Sequence, residues 1–172
     1  MRLLKPKFWE TKNFFSLILY HLSVITFLIN NTKKFCIKKN FKIKTICIGN
    51  IFIGGTGKTS LAIEINKLLE KKFRTVFIKK NYENQLDEIN LLNNKGKAIS
   101  STNRENALLI AVKKKYQLAI LDDGLQQKNI NYDLKIVCFN SEYALGNEYT
   151  LQAGHLRENL DEVKNYDLIF LN

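Results

Sequence analysis

Residues 54–59, Gly-Gly-Thr-Gly-Lys-Thr, combine three chemical capacities in six positions. Gly54, Gly55 and Gly57 can take backbone angles closed to other residues, which lets successive N–H groups converge on phosphate oxygens. Lys58 has the charge and reach for β- and γ-phosphates, and the Thr59 hydroxyl is placed to help hold Mg²⁺. Thr56 and Ser60 flank these groups inside the same segment. The general phosphate-loop pattern is G-x-x-x-x-G-K-[ST], and its first glycine is here Phe52. The part that wraps phosphate is intact, so the segment reads as a variant P-loop. The plainer alternative is a tight turn capped by Thr56, with Lys58 solvated.

A second acidic element supports the phosphate reading. Asp122 and Asp123 end the apolar run 116–121, as the carboxylates of a Walker B strand do. Ligands of open α/β sheets bind outside the carboxyl ends of the strands. Asp122 or Asp123 would reach Mg²⁺ directly or through water, unless the pair merely forms an Asx turn before Gly124. Asp87 and Glu88, taken alone, read as the solvated first turn of a helix carrying Leu91 and Leu92. His21 and His155 read as structural. Cys36, Cys47 and Cys138 lack metal-ligand spacing; Cys47 and Cys138 lie in apolar runs and read as small buried hydrophobes.

The elements that must position these groups alternate in period. Residues 43–49 form a β-rich run leading into the glycine loop. A helix is expected over 58–71, with Leu61, Ile65, Leu68 and Leu69 on one face. Strands follow at 75–79, 116–121, 134–139 and 167–171, and a helix at 106–115 buries Leu108, Leu109 and Val112. Apolar strands alternating with helices predict an α/β fold, a mostly parallel P-loop NTPase-like sheet with helices on both faces. Such a sheet normally continues past a strand ending at residue 171, so the chain is expected to be part of a longer protein.

The chain has 172 residues and a formal charge of +11. Residues 14–29 form an uncharged apolar run flanked on both sides by lysines. It is short for a spanning helix and interrupted by Ser16, His21, Ser23 and Thr26, and no small-residue cleavage site follows it. A basic collar around an apolar helix predicts a helix lying on an anionic membrane surface; a core helix is the alternative. Nucleic acid is not expected as a partner, because the lysines bracket an apolar helix instead of interleaving with exposed aromatics. Two regions follow: a membrane-associating arm over 1–41 and a P-loop domain over 42–172.

Several segments together resemble the tetraacyldisaccharide 4′-kinase family of lipid A biosynthesis. Residues 5–9 (KPKFW) resemble the family's start, and 46–60 its VGN-x-x-x-GGTGKT loop, including the missing first glycine. Residues 86–88 (LDE) resemble its GDEP, 121–127 (LDDGLQQ) its DDGFQH, and 146–158 its GN…PAGPLRE run. Departures stand at Lys79-Lys80-Asn81-Tyr82, where the family has Ser-Arg-Gly-Tyr, and at Ile89, Gln127, Gln152 and His155. Family members run to roughly twice this length. The resemblance implies ATP-dependent phosphorylation of the 4′-hydroxyl of a tetraacyldisaccharide 1-phosphate, with Mg²⁺, at the cytoplasmic face of the bacterial inner membrane. It implies Asp87 as general base, with Lys58 beside it in catalysis, and Glu88 as a carboxylate at magnesium with Thr59, Asp122 and Asp123. It places Arg157 and Asn50 near substrate, and Arg104 on a family arginine. The rival readings are a switch-type P-loop ATPase or GTPase acting on a protein, and a chain that binds nucleotide without turnover.

Overall fold

The computed structural model describes residues 6–32, 37–81, 86–141 and 147–172. Of the positions named above, Lys5, Cys36, Tyr82 and Gly146 lie outside the described residues, as do Lys33 and Lys34 of the lysines that flank the apolar run.

Six strands, β1 (Lys44–Gly49), β2 (Thr75–Lys80), β3 (Ala98–Ser101), β4 (Leu118–Asp122), β5 (Leu134–Phe139) and β6 (Leu168–Leu171), form one sheet in the order β3-β2-β4-β1-β5-β6. Every neighbouring pair is parallel. The central strands are largely apolar because both of their faces are covered; all five residues of β4 are buried, whereas all four of β6, at the sheet edge, are exposed. One face packs Ile48, Phe77, Ile120 and Cys138 against Ala62, Ile63 and Leu92 of helices α2 (Lys58–Leu69) and α3 (Leu86–Lys95). The other packs Cys47, Val76, Ile78 and Leu121 against Ala107, Leu108 and Ala111 of α4 (Arg104–Lys113). The chain runs outward from β1 in opposite directions through β2 and β5, so β1 is the switch point where a ligand crevice forms.

The helix faces differ from the periodicity reading. In α2, Leu61, Ile65 and Leu69 pack partly buried against the core as expected, beside the fully inward Ala62, Ile63 and Asn66, while Leu68 is 73% exposed. In α4 the buried residues are Arg104, Ala107, Leu108 and Ala111, and Leu109 is half exposed. In α4 the expected Leu108 is fully buried and Val112 packs against the core, so Leu68 and Leu109 are the two positions that depart from the expected faces. Helix α4 also starts earlier than expected, because the Asn103 side chain accepts from the Glu105 N–H at 2.9 Å and caps it. Strand β3 was not expected at all; it is four residues long with two terminal serines, too short for a period to register.

Helix α1 (Phe14–Thr32) stands apart from both layers. Its first turn is closed reciprocally: the Ser16 N–H donates to Asn13 Oδ1 at 3.0 Å and the Asn13 N–H to Ser16 Oγ at 2.9 Å. Ser16 is buried within this cap, and the helix meets the domain through buried Ser23. Ser23 Oγ lies 3.0 Å from the carbonyls of Thr150 and Leu151 and accepts from the Ala153 N–H at 3.1 Å. Phe14, Phe15, Leu17, Ile18, Ile25 and Leu28 are exposed. No described helix is long and apolar enough to cross a membrane.

Candidate active site

The glycine loop joins β1 to α2 at the carboxyl edge of the sheet. Gly57 sits in the left-handed region (φ 73°) at the N-cap of α2, with no side chain capping the helix. The N–H groups of the first turn are therefore left to an incoming anion, and that turn holds no acidic residue. Lys58 and Thr59 are partly buried at the mouth of the loop, Thr56 is buried, and Gly54, Gly55 and Ser60 are exposed. Asn50 is fully buried; its amide donates to the Gly54 carbonyl at 3.2 Å, and its own carbonyl accepts from Gln126 Nε2 at 2.9 Å. Asn50 thus braces the loop from below, with its side-chain Oδ1 buried and without a hydrogen-bond partner.

Phe52 has a visible replacement for the missing glycine's job. It pairs with Leu156 across an isolated antiparallel bridge, the Ile53 N–H donates to the His155 carbonyl at 3.0 Å, and the Phe52 ring stacks on buried His155 at 5.2 Å. The first turn of the loop is thus clamped by the 155–157 segment.

The period-two alternation of strands decides which acidic residue faces the loop. Asp122 shares the face of Leu118 and Ile120, the α2 face, and is fully buried there. Thr59 Oγ1 donates to Asp122 Oδ2 at 3.1 Å. Lys79 has the same parity as Phe77 on the adjacent strand, so its side chain enters the same space, only 4% exposed. Its Nζ donates to Asp122 Oδ2 at 2.7 Å and also to Glu88 Oε2 from the first turn of α3. Burial alone would lower the Lys79 pKa, but the Asp122 and Glu88 carboxylates outweigh it and hold the ammonium above the ordinary lysine value. Sequence reasoning missed Lys79. The available signal was a lysine two residues after a buried phenylalanine, on a strand leading to the carboxyl edge.

Asp123 diverges from Asp122. It takes a left-handed backbone (φ 61°), its N–H donates to the Ile48 carbonyl at 2.8 Å, and its carboxylate accepts from Arg157 Nη1 at 3.0 and 3.3 Å. Arg104, buried, donates to the Asp123 carbonyl. Arg104 and Arg157 therefore converge on the turn after β4. Asp87 is exposed beside Glu88 in the first turn of α3. Both the helix-terminus reading and the acidic-pair reading of these two residues describe the same place.

Among the described residues, no group of three or more His, Cys, Asp or Glu gathers as a metal cage. The donor set fits a nucleotide-borne Mg²⁺ instead, since such ions use one or two carboxylates plus phosphate oxygens. Asp122 Oδ1 is buried without a hydrogen-bond partner, beside the Thr59 hydroxyl. Cys47 and Cys138 are buried; burial pushes their thiols up, to about 12 and about 11, and leaves both inert.

The family model described as LpxK, tetraacyldisaccharide-1-P 4′-kinase, matches residues 15–172. The chain belongs to this family. The tetraacyldisaccharide 4′-kinase of Pelagibacter ubique (strain HTCC1062) is 51% identical over 175 residues, which cover 100% of this chain and 56% of that protein. That of Rickettsia typhi (strain ATCC VR-144 / Wilmington) is 32% identical over 190 residues, 99% of this chain and 59% of the relative. The crystal structure of "apo" form LpxK from Aquifex aeolicus in complex with ATP superposes with a TM-score of 0.81 at 25% identity, covering 91% of this chain and 58% of that one. The chain therefore spans a little over half the length of the curated relatives it matches. Within the LpxK fold, its loop keeps GGTGKT and its β4 keeps the paired aspartates, while Lys79 stands where the family motif has serine.

Proposed function

We propose that this chain is the nucleotide-binding part of an ATP-dependent lipid kinase, which phosphorylates the 4′-hydroxyl of a tetraacyldisaccharide 1-phosphate. The observation that carries the proposal is the juxtaposition of an uncapped α2 N-terminus, Lys58, and the Thr59–Asp122 pair at the switch point of the sheet. The same fold holds ATP in the Aquifex aeolicus protein.

In this reading Gly54, Gly55, Thr56 and Gly57 present backbone N–H groups to the phosphates, and Lys58 bridges the β- and γ-phosphate oxygens. Thr59 and Asp122 hold Mg²⁺, with Glu88 and Asp123 flanking, and Ser60 continues the phosphate cradle. When bound, Mg²⁺ neutralises charge on the transferred phosphoryl group. Asp87 accepts the proton of the 4′-hydroxyl as its oxygen bonds to the γ-phosphorus and the bond to ADP breaks. Arg157 orients Asp123 and lies close enough to the turn to approach substrate.

The acyl chains of such a substrate stay in a bilayer. The exposed apolar residues of α1 are suited to the headgroup–acyl boundary of an anionic leaflet, the cytoplasmic face of the inner membrane, with basic residues beside them.

The deciding experiment is transfer of radiolabelled γ-phosphate from Mg-ATP to tetraacyldisaccharide 1-phosphate in detergent, with Lys58→Ala as control. Transfer that vanishes in the variant is the expected result. Lysine-dependent ATP binding without transfer would limit the chain to nucleotide binding, and absence of both in folded protein would overturn the proposal.

A further inference from the structure

Lys79 stands at a place that the proposed reaction leaves unexplained. A lysine side chain only 4% exposed is costly unless its charge is matched, and here it is matched twice, by Asp122 at 2.7 Å and by Glu88. Both carboxylates are among those that the proposed function places at the divalent ion. Asp122 is fully buried, so a fixed neighbouring charge acts on it with little screening from water. Glu88 is half exposed and comes from a different element, so Lys79 also ties the first turn of α3 to the ends of β2 and β4.

Resting on the nucleotide-site reading, we propose that Lys79 is a positioning residue: a tethered monovalent cation that shares Asp122 and Glu88 with the nucleotide's divalent ion and makes that ion's capture depend on ATP. The charge arithmetic carries the argument. Asp122 and Glu88 together present two negative charges, enough to draw a divalent cation by themselves. With the Lys79 ammonium between them the trio presents one. The protein without nucleotide then holds a divalent ion weakly, and the phosphates of ATP supply the missing negative charge. Asp122 Oδ2 is committed to Lys79 and Thr59, which leaves Oδ1, buried and without a partner, as the oxygen for the ion.

The test is a Mn²⁺ titration of the full chain without nucleotide, followed by the electron paramagnetic resonance of free Mn²⁺. The wild type is expected to bind with a dissociation constant on the order of millimolar. Lys79→Met and Lys79→Ser are expected to bind Mn²⁺ about tenfold more tightly or better, because a unit positive charge leaves contact with the carboxylates. Lys79→Arg keeps the charge and is expected to remain as weak as wild type, which a purely space-filling role for the lysine would not require. Unchanged Mn²⁺ affinity in the neutral variants would overturn the proposal. If those variants do not fold, tight Mn²⁺ binding by the wild-type protein alone overturns it equally. A fluorescent ATP analogue titrated in parallel separates the two levels: no ATP binding by wild type sinks the nucleotide-site reading, whereas ATP binding with unchanged Mn²⁺ affinities sinks only the role of Lys79.

Discussion

Helices α1 and α2 present opposite faces to their surroundings. Helix α2 turns Ala62 and Ile63 inward and Glu64 and Lys67 outward, as a helix in water should. Helix α1 turns Ser23 inward and leaves Phe15, Leu17, Ile18 and Ile25 outside. Their N-termini differ as well. The first turn of α1 is closed by Asn13 and Ser16, whereas that of α2 begins at Gly57 with no side-chain cap. The contrast lies in what each helix leaves unsatisfied: α2 keeps backbone donors uncapped at its N-terminus, and α1 keeps apolar area exposed.

The comparison can be broken from either side. Lys58→Ala, at the start of α2, is expected to lower phosphoryl transfer by about 10²- to 10³-fold and to leave binding to anionic vesicles unchanged. Loss of vesicle binding in this variant would mean that the two helices are not separate devices. The paired change Leu17→Glu and Ile25→Glu should reduce partitioning into anionic vesicles by at least about tenfold, since burying each aliphatic side chain is worth roughly 1.5–3 kcal/mol. Flotation assays measure this, and ATP affinity should stay at the wild-type value.

Ser23→Ala sharpens the contrast by attacking the polar seam. It removes the acceptor of the Ala153 N–H and a donor to the 150–151 carbonyls, at a cost of about 1–3 kcal/mol. Hydrogen exchange should rise in α1 and around residue 153 and stay unchanged in α2. The smallest effect involves neither helix. Asp133 is half exposed; burial opposes its charge, but hydrogen bonds from Lys44 and Thr45 win and hold its carboxyl below the usual value. Its contribution is complete above the unfolded carboxyl value of about 4 and is lost as pH falls through the lower folded value. Asp133→Asn should flatten that acid-side decline in thermal stability without touching vesicle or nucleotide binding. An unchanged decline would assign acid sensitivity to other carboxylates.

Much of the site was legible because it is local. GGTGKT between a strand and a helix predicts its own geometry, and the paired aspartates lie where an apolar strand runs out. The long-range partners were not legible. The Asp123–Arg157 pair joins residues 34 positions apart and depends on a left-handed turn that a non-glycine sequence does not advertise. Lys79 meets Asp122 because β2 and β4 are neighbours, which requires the strand order. The helix faces of α2 and α4 were misjudged at Leu68 and Leu109, because hydrophobicity alone cannot tell a leucine against the sheet from one beside a closely packed alanine. For α1, the uncharged apolar run pointed to a helix but not to which side would meet the domain; the Ser23 hydroxyl fixes that side.

The clamp around Phe52 has a consequence for energetics. A phosphate loop free to wander must give up backbone freedom when it closes on a ligand, at roughly 1–2 kcal/mol for each residue fixed. Here the bridge to Leu156, the bond from Ile53 to His155 and the stacked rings already hold the first turn in place. That ordering happens during folding, not binding. Contacts between the loop and a phosphate group then appear almost undiminished as affinity, and aromatic packing on one side of the loop does the work of conformational restraint that a sequence comparison would have looked for in a glycine.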